Sequence, residues 1–176
     1  MGAIGGTPGG RDERFRETPS DYYGEELVAE RSLITDKMKK AVGVSSEPVI
    51  YDIEQGLIKQ FAQAIGDPNP QWQDDVKARK TLKGGIVAPP TFLRTCNPKE
   101  LEELEFPVTR GLDGGSEWEY FVPIRPGDSI TVTQKIDSFT EKHGRLGAML
   151  IETREVSYRN HLGELVATQK ITGIYY

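Results

Sequence analysis

Apolar positions in this chain follow two periods, and the change between them divides it into a helical first half and a sheet-forming second half. Leu57, Ile58, Phe61, Ala62 and Ile65 recur at steps of one, three and four, which lays one apolar stripe along a helix. Asp52 is placed to cap its start, with Gln55 as a loose capping-box partner. Gly66 suits the left-handed position after the last turn and Pro68 blocks continuation, so the helix is expected to stop at Ile65 or Gly66. Before it, Val49, Tyr51 and Ile53 alternate within Glu47–Ile53, the mark of a half-buried strand. After it, 74–82 reads as a short charged helix or turn. Residues 86–96 read as a buried helix with two prolines in its first turn, and the acid-rich 99–105 as a solvated segment.

From Ser116 the period falls to two. Residues 116–124, 129–140, 148–158 and 164–176 carry β-branched and aromatic side chains, with glycine-bearing turns at 125–128, 143–145 and 160–163. Four long strands and one earlier strand around one helix imply an antiparallel α+β domain over 47–176. Such a sheet leaves an edge strand to be covered, so at least a dimer is expected, with itself or with a homologous chain. Residues 1–20, rich in glycine and then charge, read as a flexible tail. Residues 21–46 read as an extension, partly helical, with Leu27, Val28, Leu33, Ile34, Met38 and Val42 available for one face.

Composition narrows the possible partners. A net charge of −5, from 22 basic and 27 acidic residues, disfavours nucleic acid. No apolar run is long enough to span a bilayer and none reads as a secretory leader; with one cysteine the expected setting is the cytoplasm. No metal-ligand spacing and no phosphate-binding glycine motif occurs, so neither metal nor cofactor is expected. Cys96 could be a nucleophile, but its apolar neighbours favour a buried structural thiol. His143 and His161 fall beside glycines in turns, where an exposed imidazole needs no special role. Trp118, Tyr120 and Phe121 form an aromatic patch that suits core or interface, with ligand lining as the alternative.

The stretch Gly66-Asp67-Pro68-Asn69-Pro70 sets two polar side chains between two prolines, in a frame with few free torsions. Capping and Asx-turn chemistry would account for Asp67 and Asn69 without any ligand. The same residues, with Phe61-Ala62, Asp74, Ala78, the run Gly85-Ile86-Val87-Ala88-Pro89-Pro90-Thr91-Phe92 and Pro126-Gly127-Asp128, resemble a MaoC-like dehydratase domain over about 39–176. These are relatives of R-specific enoyl-CoA hydratases. The resemblance implies a single hot-dog domain, an antiparallel sheet wrapped around a central helix.

That family's signature is G-D-x-N-P-[apolar]-H-x-D, whose Asp and His together activate a water. Here Asp67, Asn69 and Asp74 match, but Trp72 stands at the histidine position, and an indole has no basic nitrogen. Active relatives carry a glycine near the position of Pro90, where a backbone N–H polarises the thioester carbonyl; proline has none. Both departures fit the N-terminal-type subfamily, the non-catalytic half of a two-half hydratase. The implied role is an acyl-thioester-binding accessory subunit of an enoyl-CoA hydratase or 3-hydroxyacyl-CoA dehydratase. Its ligand would be an acyl-CoA or acyl-carrier thioester, and it would pair as a homodimer or with a catalytic hot-dog subunit. Asp67 is then a degenerate catalytic residue, and Asn69, Trp72, Ala88, Pro89 and Pro90 would line the substrate cleft. Two alternatives stay open: a self-standing hydratase using Asp67, or a non-enzymatic binding or assembly module. A thioesterase would need a carboxylate on 86–96, which has none.

Overall fold

Burial alternates most regularly where the sequence does. In the strand Ser129–Gly144, Ile130, Val132, Gln134 and Ile136 are buried while Thr131, Thr133 and Lys135 are only partly so. The computed structural model describes residues 1–2, 32–145 and 147–176, and the architecture below is that of Ser32–Tyr176. The expected tail over 1–20 lies outside the described residues apart from Met1 and Gly2, as do Leu27 and Val28 of the extension.

In chain order the elements are α1 (Asp36–Ala41), β1 (Val49–Asp52), α2 (Gln55–Ala64), α3 (Pro70–Gln73), α4 (Asp75–Ala78), a 3₁₀ helix (Pro90–Thr95), β2 (Gly111–Tyr120), β3 (Ser129–Gly144), β4 (Gly147–Arg159) and β5 (Leu165–Tyr175). The five strands form one antiparallel sheet in the order β1-β3-β4-β5-β2. One row of paired residues crosses all five: Val49, Val132, Tyr158, Ala167 and Tyr120. Three of them, Val132, Tyr158 and Ala167, are essentially solvent-free, which pins the register, because a one-residue slip would turn the row outward.

Against this face pack α2, through the fully buried Ile58 and Ala62, and the 3₁₀ helix, through Phe92 and Leu93. Phe61 meets Phe92 edge to face at 5.5 Å, and Cys96 is buried in the same cluster, where desolvation raises its thiol pKa. A second cluster, of Met38, Leu104, Ile136 and Leu150, fills the other end of the face under α1 and the 101–106 segment. Thr35 caps α1, its Oγ1 accepting from the Met38 amide at 3.2 Å.

Several local expectations are corrected. Residues 86–96 form no continuous helix: 86–89 are irregular, and only Pro90–Thr95 turns, as a 3₁₀ helix. Pro89 and Pro90 supply no N–H, and Asn97 precedes Pro98, so both ends of the segment are closed to an α-helix. The central helix of this hot-dog sheet is therefore one short 3₁₀ piece supplemented by α2. Asp52 does not cap α2; it ends β1 paired with Ser129, and Glu54 takes the cap position without a side-chain bond. The 99–105 segment is not wholly solvated, since Leu104 is buried and Leu101 packs on the second cluster. Nor do the strands run as a simple series. β3, β4 and β5 do, but β2 lies beyond β5 and ends at Tyr120, leaving 121–128 to cross the end of the sheet.

Both sheet edges are strands of unequal length. β1 has four residues and is prolonged by the bridges Val42–Ile136 and Ser45–Lys135. β2 has ten, nine of them exposed, and its outer edge pairs with no strand among the described residues.

Candidate functional site

Helix α2 ends where glycine permits it. Gly66 adopts φ +68°, and the amides of Gly66 and Asp67 donate to the carbonyls of Gln63 and Ala62 at 3.1 and 2.9 Å, closing the helix. The chain then makes an Asx turn: Asp67 Oδ1 accepts from the Asn69 amide at 2.9 Å. Asn69 Oδ1 accepts from the Gln71 amide at 2.9 Å and caps α3, whose first residue is Pro70. That one-turn helix carries Trp72 back over the loop, and its indole Nε1 donates to Asp67 Oδ2 at 2.8 Å. Gln73 Nε2 donates to the Asp67 carbonyl, so backbone and side chain of Asp67 are both held.

Asp74 then caps α4, accepting from the amides of Val76 and Lys77 at 3.0 Å each, and the Lys77 amide bond holds its carboxyl below the usual range. Asp75 ties α4 to α2 through Lys59 at 2.7 Å and Gln55 at 2.8 and 2.9 Å. The Lys59 bond is the main cause of its lowered pKa.

Across from Trp72 runs the irregular stretch 86–90. The Ala88 amide is spent on the Ile124 carbonyl at 2.8 Å, and the next two residues have none to give. Gln71 Nε2 reaches over to the Gly85 carbonyl at 2.6 Å and joins the two sides. The Pro126-Gly127-Asp128 turn serves the scaffold. Its Gly127 amide donates to the Ile53 carbonyl and the Ile53 amide to the Asp128 carbonyl, both at 2.8 Å, which clamps the end of β1 to the start of β3. Arg125 donates to the Lys83 carbonyl at 2.6 Å.

Between these walls lies a cleft of about 410 Å³, a size suited to a small organic ligand. Asn69, Gln71 and Trp72 form one side, Val87–Pro90 the other, and Tyr120–Ile124 close it; Thr81 and Lys83 supply polar rim. Of the residues singled out in the sequence, Asn69, Trp72, Ala88, Pro89 and Pro90 thus come together. Asp67 does not line the cleft; its carboxylate is bonded to the indole N–H of Trp72, which does. Neither His143 nor His161 lines it, both lying at hairpin ends. Tyr120 and Phe121 reach the cleft, whereas Trp118 is stacked between Tyr120 and Tyr158, at 5.8 and 5.5 Å. Reading the sequence missed Gln71, a polar residue at the apolar position of the signature, and Thr81, Lys83 and 122–124, which no motif marks: the crossing of 121–128 over the end of the sheet brings 122–124 there. No group of metal-ligating side chains occurs among the described residues, and none of their helices is long and apolar enough to cross a membrane.

Sheet order, wrapped helical pieces and a cleft between the Asp-Pro-Asn-Pro loop and the double-proline segment define a MaoC-like hot-dog dehydratase domain. The chain belongs to the family described as "FAS1-like, dehydratase domain region", whose model matches residues 40–169. It is 33% identical over 100 residues to a UPF0336 protein of Streptomyces avermitilis, covering 53% of this chain and 67% of that one. It is 32% identical over 133 residues to a probable enoyl-CoA hydratase alpha subunit of Thermomonospora curvata, covering 65% of this chain but 42% of the relative. Among solved structures, the MaoC-like dehydratase of Rhodospirillum rubrum superposes with a TM-score of 0.62 at 26% identity, covering 77% of this chain and 92% of that one. The ChsH1–ChsH2 complex of Mycobacterium tuberculosis shares the fold, with a TM-score of 0.63 at 20% identity over 75% of this chain and 84% of that one. Homologues of this chain are therefore hydratase and dehydratase subunits.

Proposed function

We propose that this chain is the acyl-thioester-binding, accessory half of an R-specific enoyl-CoA hydratase or 3-hydroxyacyl-CoA dehydratase, acting with a catalytic hot-dog subunit. The observation that carries this reading is the Trp72–Asp67 hydrogen bond. At the place where the family keeps a proton acceptor, this chain keeps an N–H donor, and it uses that donor to occupy the neighbouring carboxylate. A general base needs a free lone pair in reach of the water it deprotonates. One oxygen of Asp67 holds the Asn69 amide and the other the indole; lone pairs remain on both, but Asp67 does not line the cleft, whereas Trp72 does.

The 88–90 backbone likewise has no free amide donor. Stabilising an enolate oxygen requires N–H groups aimed at it, and from 88 to 90 one amide is bonded within the fold and two are absent. What remains is a largely apolar cleft that can hold an acyl chain, with Lys83 on its rim for an anionic carrier. On this reading the partner supplies base and oxyanion donors. It would meet the uncovered edge of β2, whose ten residues offer a row of strand hydrogen-bonding groups.

The test is the purified chain, alone and mixed with a catalytic hot-dog hydratase. Saturable binding of butanoyl-CoA in calorimetry, no hydration of crotonyl-CoA by the chain alone, and co-elution with the catalytic chain are expected. Turnover by the chain alone at an enzyme's ordinary rate would reject the accessory role.

A further inference from the structure

We infer that Trp72 is the specificity-determining wall of the cleft and that Asp67 is a positioning residue acting through it. This rests on the acyl-thioester reading above and extends it to which acyl groups are admitted. Trp72 is the largest side chain lining the cleft. Its ring is half-buried against the main core cluster on one side and faces the cleft on the other. Displacing it would change the width of the cleft more than any other single truncation there.

The ring is also held more firmly than packing alone would hold it. Its sole N–H is bonded to Asp67 Oδ2 at 2.8 Å, and its amide donates to the Asn69 carbonyl at 3.2 Å. Asp67 in turn is fixed by the Asn69 amide on Oδ1, by its own amide on Ala62 and by Gln73 on its carbonyl, between a positive-φ glycine and a proline. The opposite wall is set at a fixed distance, because Gln71, the residue before Trp72, bonds the Gly85 carbonyl at 2.6 Å just ahead of the 86–90 stretch. A slot whose two sides are tied together selects ligands by thickness, since widening it breaks hydrogen bonds.

Calorimetry with butanoyl-CoA, a thin chain, and benzoyl-CoA, a thick ring, reads this directly as a ratio of affinities. Trp72→Leu, and Trp72→Ala where it folds by circular dichroism, should raise the benzoyl-to-butanoyl ratio about tenfold or more. Trp72→Phe keeps an aromatic ring, smaller by the five-membered part, and removes the N–H, so the ratio should rise by a smaller factor than in Trp72→Leu. Asp67→Ala should raise it too, and adding Asp67→Ala to Trp72→Phe should change nothing further, as for two residues acting through one bond. A general loss of stability would lower both affinities and leave their ratio alone. An unchanged ratio in Trp72→Leu, with both thioesters still bound, overturns the wall but leaves the acyl-thioester reading standing. Additive effects of Asp67→Ala and Trp72→Phe overturn the positioning role. Absence of binding of either thioester to the unaltered chain overturns this inference and the reading beneath it together.

Discussion

Asp67, Asp74 and Asp75 occupy one short stretch and do three different jobs, decided by what each carboxylate meets. Asp67 accepts from an indole, Asp74 caps a helix and Asp75 bridges two helices. Asp74 and Asp75 have lowered pKa values, as do Glu47 beside Lys99 and Glu141 beside Ser32. A depressed folded pKa means that the folded chain binds fewer protons than the unfolded chain as the solution turns acid. The stability these four contribute is then complete above the unfolded carboxylate value and is lost as pH falls through the folded values. The thermal midpoint should stay nearly level from pH 7 to about 5 and drop below about pH 4. Asp75→Asn, followed by thermal denaturation across that range, should lower the midpoint at pH 7 and shrink the acid drop. Deeper in the core, Ile130 is fully buried on the inner face; Ile130→Ala should cost about 2–5 kcal/mol in urea denaturation.

At the scale of elements, two glycines show how a terminus and a bulge differ. Gly66 ends α2 at φ +68° with open space where a Cβ would go, so Gly66→Ala meets only backbone strain and should cost about 1 kcal/mol. Gly114 sits in the β2 bulge, where a Cβ would lie 2.8 Å from Thr172 Cγ2 and 2.9 Å from the Thr172 carbonyl oxygen. The carbonyl belongs to β5 and cannot swing aside. Gly114→Ala should therefore cost about 1–3 kcal/mol and loosen β2, read as faster amide exchange along 111–120. If β2 is the docking edge, the same variant should weaken co-elution with the catalytic chain.

Taken whole, the inner face of the sheet holds two apolar clusters with a polar seam between them. Glu152, only 2% exposed, accepts from Arg154 at 2.9 Å and from the Tyr175 hydroxyl at 3.0 Å. Arg154 Nε is buried without a hydrogen-bond partner among the described residues, while its side chain as a whole is 30% exposed. Glu152→Ala should destabilise by about 1–2 kcal/mol, because it removes the 2.9 Å partner of a half-buried guanidinium that solvent still reaches. Glu152→Leu combined with Arg154→Leu should cost clearly less in the same denaturation experiment, since no charge is left unmatched. A double replacement as damaging as the single one would show that the seam holds the clusters by shape instead of charge.

The order of helix and strands, the end of α2 and the rigidity of the loop after it were all readable in the sequence, because local periodicity, glycine and proline act over a few residues. That Trp72 has no basic nitrogen and that Pro89 and Pro90 have no amide N–H to give were equally plain, since they are facts of side-chain and backbone chemistry. Three things were settled by tertiary packing. The expected helix over 86–96 shrank to Pro90–Thr95, β2 crossed to the far side of β5, and the 121–124 stretch was carried to the cleft. The bond from Trp72 to Asp67 belongs to the same group: five residues apart in the chain, they meet because an Asx turn and a one-turn helix fold one back over the other. Periodicity reports which side of an element is apolar; where that element goes, and what its polar groups find there, depends on contacts that no local pattern encodes.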